Sequence, residues 1–267
     1  MNKKRIFITG GASGLGKAVA IKFASKGFNV CIGDVNDERG KEAETALKAY
    51  APDAFYVHCD VTSLDDLENA RSELEARWGG VDVVVNNAGV AGTAGAIEEV
   101  SLSDWEWVLD VNLMGVVRGC KTFTPLFKKQ GSGHFVNIAS AAGLMSAPFM
   151  GNYNASKAGV ISLSETLLAE LHQHKITTSV VCPAFFQTNL TESMRSHISG
   201  LHSKVNKLMT RSKITAEDVA DSIYKAYEEK EFWVVTHPFE RRMWYFKRIL
   251  PKGFNALMQR QAKKLFS

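Results

Sequence analysis

The sequence predicts an α/β fold in which one parallel sheet of about seven strands carries helices on both faces. Short apolar runs alternate with amphipathic stretches along most of the chain, as in repeated strand–helix units. The predicted strands are 5–9, 29–34, 54–60, 81–86, 133–139, 177–182 and 232–235. The predicted helices are 14–25, 37–49, 64–77, 104–129, 153–174 and 216–229. Right-handed crossovers make such a sheet open and doubly wound, and its ligands bind beyond the carboxyl ends of the strands.

Length and composition fit one large domain and exclude several classes of protein. The chain has 267 residues, of which 45% are hydrophobic and 22% are charged. The apolar run at 6–8 is too short for a signal peptide, and no stretch approaches the length of a transmembrane helix. The four cysteines show no zinc-like spacing. We therefore expect a cytoplasmic protein with reduced thiols and no metal site.

Positive charge is concentrated at the C-terminal end. Residues 240–267 contain eight basic residues and one acidic residue, whereas the rest of the chain contains 24 basic and 27 acidic residues. From Phe254 onward a mostly apolar stripe has basic residues beside it. Such a segment can lie on an anionic membrane, and the alternative is a helix that folds over a pocket or packs on another subunit. Because no nucleic-acid motif accompanies this charge, we expect no nucleic-acid partner.

A glycine-rich turn follows the first predicted strand. Gly10, Gly14 and Gly16 have the spacing Gly-x-x-x-Gly-x-Gly, and Ser13 and Leu15 lie between them. Gly10 allows a tight turn, Gly14 allows backbone N–H groups to approach a pyrophosphate, and Gly16 allows the helix to pack near the strand. The helix N-terminus then favours phosphate. The motif predicts a Rossmann-type dinucleotide site, although an ordinary glycine-rich turn is the alternative.

Asp34 ends the second predicted strand, eighteen residues after Gly16. A carboxylate at this point can accept hydrogen bonds from both adenosine ribose hydroxyls and repels a 2′-phosphate. Neither Val35 nor Asn36 is basic, and Ser13 is uncharged. The sequence therefore favours NAD over NADP, with a helix-capping Asp34 as the alternative.

Tyr153 and Lys157 lie one helical turn apart on the same face of a predicted helix, with Ser140 upstream. A phenol with a pKa of about 10 is a poor base at neutral pH. A nearby ammonium, together with the positive ring of an oxidised nicotinamide, favours the phenolate. The pair therefore predicts acid–base catalysis, and an exposed surface pair is the alternative.

These motifs together resemble the short-chain dehydrogenase/reductase family over residues 5–190. The residues that carry the resemblance are 9–16, Asp60, Val61, Asn86, Asn87, Ala88, Gly89, Asn112, Ser140, Tyr153 and Lys157. The resemblance implies that Asp60 and Val61 hold the adenine ring and that the segment 86–89 borders the cofactor. It also implies an oxidoreductase of NAD(P)-dependent alcohol dehydrogenase or carbonyl reductase type.

The resemblance further implies a role for each member of a catalytic tetrad. Tyr153 exchanges a proton with the substrate oxygen, and Ser140 donates a hydrogen bond to that oxygen. Lys157 lowers the pKa of Tyr153 and holds the nicotinamide ribose, while Asn112 positions a water for a proton relay. The helices at 104–129 and 153–174 resemble those that form subunit interfaces in the family, so we expect a homodimer or homotetramer.

One segment departs from the family pattern. Pro183-Ala184 stands where the family usually has Pro-Gly, although Thr188 still matches the position expected to contact the nicotinamide amide. The irregular stretch 184–215 has the length of a lid. We therefore expect a single dinucleotide-binding and catalytic domain at 1–238, with this lid, and a basic, aromatic-rich extension at 239–267.

The expected substrate is a hydrophobic secondary alcohol or ketone that is lipid-derived, steroid-like or aromatic. The segment 141–152 must pass the reacting carbon, and it carries no charge. Phe185 and Phe186 are expected opposite it, unless these apolar side chains pack only in the core or the lid. Two other functions remain open, a catalytically silent NAD(P)-sensing protein and a sugar-nucleotide epimerase or dehydratase.

Overall fold

The central sheet is parallel throughout and has the strand order β3-β2-β1-β4-β6-β7-β9. The computed structural model describes residues 3–187, 189–198 and 200–266. Its strands are β1 (Arg5–Thr9), β2 (Asn29–Asp34), β3 (Phe55–His58), β4 (Val83–Asn86), β5 (Thr93–Ala94), β6 (Gly133–Ile138), β7 (Ile176–Val181), β8 (Arg195–Ser196) and β9 (Trp233–Val234). The strand order reverses between β1 and β4, which opens a crevice at their carboxyl ends. The predicted doubly wound α/β fold is confirmed.

The helices cover both faces of this sheet. They are α1 (Gly14–Ser25), α2 (Asp37–Leu47), α3 (Leu64–Trp78), α4 (Leu102–Leu109), α5 (Gly115–Gln130), α6 (Ala141–Met145), α7 (Gly151–Glu170), α8 (Leu201–Arg211), α9 (Ala216–Glu229), α10 (Pro238–Ile249) and α11 (Pro251–Phe266). Successive strand residues point to opposite faces. Phe7 therefore packs with α3, α5 and α7, whereas Ile6 and Ile8 pack with α1, α2 and α9.

The predicted helix at 104–129 is in fact two helices with a wider turn between them. A π-helical turn, Asp110–Met114, joins α4 to α5. The Asn112 side chain lies in this turn and bonds the backbone of Val90, accepting from its N–H at 2.7 Å and donating to its carbonyl at 2.9 Å. Periodicity cannot show such a turn, because the apolar pattern continues through it. π-turns of this kind are frequent at functional sites.

The stretch at 184–215 is more regular than the sequence predicts. It contains a 3₁₀ turn at Asn189–Ser193, strand β8 and helix α8. β8 pairs in parallel with β5, through Thr93 with Arg195 and Ala94 with Ser196. The prediction of an irregular segment is therefore wrong for α8, whose buried Met209 faces the pocket described below.

The C-terminal residues form two helices that pack on the body of the protein. Trp244 of α10 is buried, and its ring centre lies 4.7 Å from that of Trp233. Lys247 donates from Nζ to the Leu144 carbonyl at 2.7 Å, and Phe254 of α11 is also buried. Among the described residues, no helix combines the length and apolar character needed to span a bilayer.

Candidate active site

The glycine turn has a backbone conformation and close contacts that favour glycine. Gly10 and Gly14 have φ angles of +62° and +51°. A Cβ on Gly16 would lie 2.1 Å from the Gly10 carbonyl oxygen. Asn87 stabilises the turn by donating from Nδ2 to the carbonyls of Thr9 at 2.9 Å and Gly10 at 3.1 Å. The first N–H groups of α1 have no acceptor within the helix, so the turn presents donors suited to a pyrophosphate.

Asp34 lies at the carboxyl end of β2 beside this turn. Its carboxylate accepts from the N–H groups of Ala12 and Asn36, each at 3.1 Å. The N-cap of α2 is Asn36, whose side chain accepts from the Arg39 N–H at 2.9 Å. Asp34 therefore does not cap α2, and its carboxylate borders the pocket.

Most of the predicted site residues surround one cavity of about 720 Å³ at the carboxyl ends of the strands. The predicted residues that line it are Gly10, Ser13, Gly14, Leu15, Asp34, Asp60, Val61, Asn87, Ala88, Gly89, Ser140, Tyr153, Lys157 and Pro183. Gly16 and Asn112 lie just behind this wall, against Gly10 and Gly89 respectively. Thr188 lies outside the described residues. Residues that are distant in sequence thus meet at one site.

Tyr153, Lys157 and Ser140 lie together in the wall of the cavity. The Lys157 Nζ lies 5.8 Å from the centre of the Tyr153 ring and donates to the Ile138 carbonyl at 3.0 Å. Ser140 accepts from the Ala142 N–H at 3.1 Å. Burial raises the pKa of Tyr153 above its ordinary value, and the hydrogen bond to Ser140 opposes this. Burial lowers the pKa of Lys157 to about 8.

Asn112 and Lys157 both lie close to Gly89. The Asn112 Nδ2 is 3.3 Å from the Ser156 hydroxyl, and the Asn112 side chain is completely buried. A Cβ placed on Gly89 would lie 3.0 Å from Asn112 Oδ1 and 3.5 Å from Lys157 Nζ. The absence of a side chain at Gly89 therefore leaves space beside the amide of Asn112 and the ammonium of Lys157, which a larger side chain would fill.

Part of the cavity wall is apolar. This part comes from four segments, namely α6 with the loop that follows it, the loop after β7, the 3₁₀ turn with Met194 after it, and α8. The apolar side chains among them include Met145, Phe149, Phe185, Phe186, Met194, Val205, Leu208 and Met209. Phe186 is buried, whereas Phe185 is 46% exposed at the edge. Glu240 of α10 also reaches this wall.

Three residues near the site were not predicted from the sequence. The Arg39 guanidinium pairs with the Glu192 carboxylate at 3.1 Å, and both side chains line the cavity. His237 bonds the loop after β7. Arg39 could have been found from its position in the first turn after Asp34. Glu192 and His237 carry no such signal, because only the folded chain brings them to the site. Among the described residues, no group of three or more metal-binding side chains could hold a metal ion.

The doubly wound parallel sheet and the cavity at the carboxyl ends of its strands are typical of a Rossmann-type oxidoreductase. The family model for short chain dehydrogenase matches residues 4–199. The protein therefore belongs to the short-chain dehydrogenase/reductase family.

Three relatives illustrate the similarity. The chain is 30% identical over 255 residues to a CLA biosynthesis dehydrogenase/reductase from Lactiplantibacillus plantarum, covering 88% of each chain. It is 34% identical over 197 residues to a 3beta-hydroxysteroid dehydrogenase from Mediterraneibacter gnavus, covering 74% of this chain and 71% of the relative. A short-chain dehydrogenase/reductase from Burkholderia phymatum, solved in complex with NAD, has a TM-score of 0.88 and 33% identity over 92% of this chain and 93% of that chain.

Proposed function

We propose that the protein transfers hydride between NAD and a hydrophobic secondary alcohol or ketone. One observation carries the proposal. The phosphate-binding turn, the Asp34 carboxylate, the Ser140–Tyr153–Lys157 group and an apolar wall all border the same cavity. A bound nicotinamide ring would supply the hydride acceptor or donor. The family relationship supports the reaction class, and the chemistry of the wall supports an apolar substrate.

Four residues in or beside the cavity have separate roles in the proposed reaction. Tyr153 takes the proton from an alcohol or returns it to a carbonyl. Ser140 donates to the substrate oxygen and stabilises its developing charge. Lys157 holds the nicotinamide ribose and favours the phenolate of Tyr153 through its positive charge. Asn112 positions a water beside Lys157 for proton relay to solvent.

The cofactor assignment to NAD rests on Asp34. Its carboxylate borders the pocket at the end of β2, where it accepts from the Ala12 N–H of the turn 10–16. Asp60, Val61 and the segment 87–89 complete the adenine and ribose walls, and Pro183 with Thr188 is proposed to border the nicotinamide. A 2′-phosphate would meet the negative charge of Asp34, which supports NAD over NADP.

Turnover tests the proposal. We would follow NADH absorbance at 340 nm with 2-octanol and 4-phenyl-2-butanol as probes. The Tyr153→Phe variant should lose activity by about 100- to 10,000-fold, the usual contribution of a general acid–base group. NADH binding, measured by tryptophan quenching, should change by less than about twofold because the phenol is not the main cofactor contact. Tyr50→Phe is the matched control, since Tyr50 is 55% exposed.

Two outcomes would overturn the proposal. Unchanged turnover in Tyr153→Phe would remove the mechanism. Tight NADH binding without turnover of any alcohol or ketone would indicate instead a cofactor-sensing protein on the same fold.

We also propose that α10 makes peripheral contact with an anionic membrane surface. Its outward face exposes Phe239 (66%), Tyr245 (52%) and Ile249 (74%), with the exposed cation Arg242 among them. Exposed apolar groups interleaved with cations suit a lipid headgroup boundary. Such contact would place the apolar cavity, which Glu240 of the same helix borders, near a lipid-derived substrate.

Vesicle co-sedimentation tests this contact. Binding should appear with vesicles that contain phosphatidylglycerol and not with pure phosphatidylcholine, because only the former attracts the cations. Ile249→Ser should weaken the binding, and Ile97→Ser is the matched control because Ile97 is 73% exposed far from the basic helices in sequence. Equal loss in both variants, or no binding to either vesicle, would contradict the contact.

The protein is further proposed to act in the cytoplasm as a homodimer or homotetramer. Support for the compartment comes from four buried free cysteines in the described chain. Support for assembly comes from apolar side chains left exposed on or beside α5 and α7, namely Met114 at 42% and Leu168 at 40%. Leu168→Asp should lower the mass measured by light scattering, whereas Leu102→Asp, at a residue 79% exposed elsewhere, should not.

A further inference from the structure

His237 is a buried histidine whose ring contacts the loop that follows β7. It is 7% exposed and immediately precedes α10. We propose that His237 is a positioning residue for the reaction, which holds the loop 183–186 so that Ser140 and the apolar wall keep their places. The inference rests on the dehydrogenase function proposed above.

The His237 ring continues the hydrogen bonding of the sheet past the end of β9. The last backbone hydrogen bond between β7 and β9 runs from the Cys182 N–H, just after β7, to the Val234 carbonyl of β9 at 2.8 Å. Two residues further along, the Ala184 N–H donates to His237 Nδ1 at 3.2 Å. The His237 side chain thus supplies an acceptor for the Ala184 N–H at a point where β9 has already ended.

The partners of the two ring nitrogens determine the tautomer. Nδ1 faces two groups, the Ala184 N–H at 3.2 Å and the Thr236 hydroxyl at 2.8 Å. Because an amide N–H can only donate, Nδ1 carries no hydrogen, and the Thr236 hydroxyl also donates to it. The hydrogen is then on Nε2, which donates to the Phe185 carbonyl at 3.2 Å. The ring therefore bonds one donor and one acceptor of consecutive residues and restrains their backbone in one orientation.

This restraint reaches Ser140 through Pro183, the residue before Ala184. The Pro183 carbonyl accepts from the Ser140 hydroxyl at 3.3 Å and from the Ala141 N–H at 2.9 Å. Ser140 is thereby held on one side by this carbonyl and on the other by the Ala142 N–H. A Ser140 held in this way loses less conformational freedom when it donates to a substrate oxygen, which reduces the cost of alignment.

The same restraint sets part of the apolar wall. Phe185 and Phe186 both line the cavity, and the Phe186 ring centre lies 6.5 Å from that of His237. The His237 backbone is anchored at the start of α10, because its carbonyl accepts from the Arg241 N–H at 3.0 Å. The Arg241 guanidinium also donates to the Val235 carbonyl at 2.8 Å. A displaced His237 ring would therefore change both the alignment of Ser140 and the shape of the substrate wall.

The test compares His237→Phe, which keeps a planar ring without hydrogen bonds, with His237→Asn, whose Oδ1 can still accept from Ala184. In His237→Phe we expect kcat with 2-octanol to fall by roughly tenfold or more, since a displacement of about 1 Å at a reacting group can cost about 100-fold. KM should rise, whereas the Kd of NADH should change by less than about twofold, because the phosphate-binding turn is untouched. His237→Asn should recover at least part of kcat.

His134→Phe is the control for a purely structural role. His134 is also buried and hydrogen-bonded, to Thr177 at 2.6 Å and Ser179 at 3.2 Å, but it lies at the amino end of β6, away from the site. A positioning role requires that kcat of the folded protein falls in His237→Phe and not in His134→Phe. If both variants only lower Tm and keep kcat, the inference is wrong.

A second measurement separates this inference from the proposed function. Nitrogen-15 shifts of the His237 ring should show a protonated Nε2 and a bare Nδ1, and exchange of the Ala184 amide hydrogen should speed up in His237→Phe. Neither readout needs turnover. Lack of activity in the wild-type protein would therefore count against the dehydrogenase proposal. Fast exchange of the Ala184 amide hydrogen in the wild type would count against the positioning role of His237.

Discussion

The Lys157 ammonium lies 5.8 Å from the centre of the Tyr153 ring and donates a hydrogen bond to the Ile138 carbonyl at 3.0 Å. Burial acts on both groups against ionisation, since it raises the pKa of Tyr153 and lowers that of Lys157 to about 8. A phenolate at neutral pH therefore depends on electrostatic attraction strong enough to offset desolvation.

Replacing Lys157 by Met should make the pH dependence of the reaction shift upward. The positive charge favours the Tyr153 phenolate, so its removal raises the pKa of the phenol and less of the base is present at a given pH. In plots of log kcat against pH for NAD-dependent alcohol oxidation, the midpoint should move up by about one unit or more. Lys121→Met, on the exposed side of α5, should leave the profile in place.

Asp34→Ala should change the choice of cofactor. The variant loses a carboxylate that can accept from two ribose hydroxyls. We therefore expect NADH to bind about tenfold more weakly or worse, the effect of at least one lost hydrogen bond to a charged group. NADPH should bind no more weakly than before, because the repulsion of its 2′-phosphate is removed. Side-by-side titrations at one salt concentration measure the ratio, and an unchanged ratio would refute the role of Asp34.

Glu192→Gln should improve NADPH binding through Arg39. In the folded protein the Glu192 carboxylate pairs with the Arg39 guanidinium at 3.1 Å. Arg39 lies five residues after Asp34 in the sequence. Neutralising Glu192 removes a negative charge and releases the Arg39 cation in the wall of the cavity that Asp34 also lines. We expect NADPH to bind a few-fold more tightly and NADH to change little, a modest effect because the pair is exposed.

Glu38→Gln is the control for this effect, since it removes an exposed charge from the same turn of α2. The double variant Glu192→Gln with Arg39→Ala should lose the gain in NADPH affinity. If the gain persists without Arg39, or if both cofactors bind more tightly by the same factor, Arg39 is not the group that Glu192 restrains.

Stability should fall as the pH falls below neutrality because of His134. Burial lowers the pKa of this imidazole from 6.5 to about 4. Between these values the unfolded chain binds a proton that the folded protein does not, so the free energy of unfolding decreases as pH decreases. The loss approaches about 3 kcal/mol near pH 4.

Urea unfolding at pH 7 and pH 4.5 measures this loss. His134→Asn should show a smaller decrease over the same interval, whereas His172→Asn, at an exposed position, should match the wild type. An identical decrease in all three proteins would assign the pH dependence to other groups.

Much of the fold was predictable because local pattern and tertiary contact agree. The strand at 5–9 and the helix at 14–25 have the bounds that the sequence predicts. The apolar run of the strand ends at a glycine, which is the residue that a tight turn favours. The helix at 216–229 is likewise correct, and Thr215 with Asp218 caps it reciprocally. Elements that depend on distant partners were missed, including β5 and β8, which in the described part of the chain form a separate two-stranded sheet.

By itself, the sequence determined the fold class and the catalytic and cofactor candidates, because residue types, strand ends and helical spacing already place Asp34, Ser140, Tyr153 and Lys157 at one edge of a parallel sheet. Tertiary structure alone decided three other features. It introduced the π-turn that directs Asn112 toward Val90, the ion pair of Arg39 with Glu192, and the His237 ring on the loop after β7. Each joins segments at least 22 residues apart. No local pattern encodes such a contact, because it arises only when the packed sheet brings the two segments together.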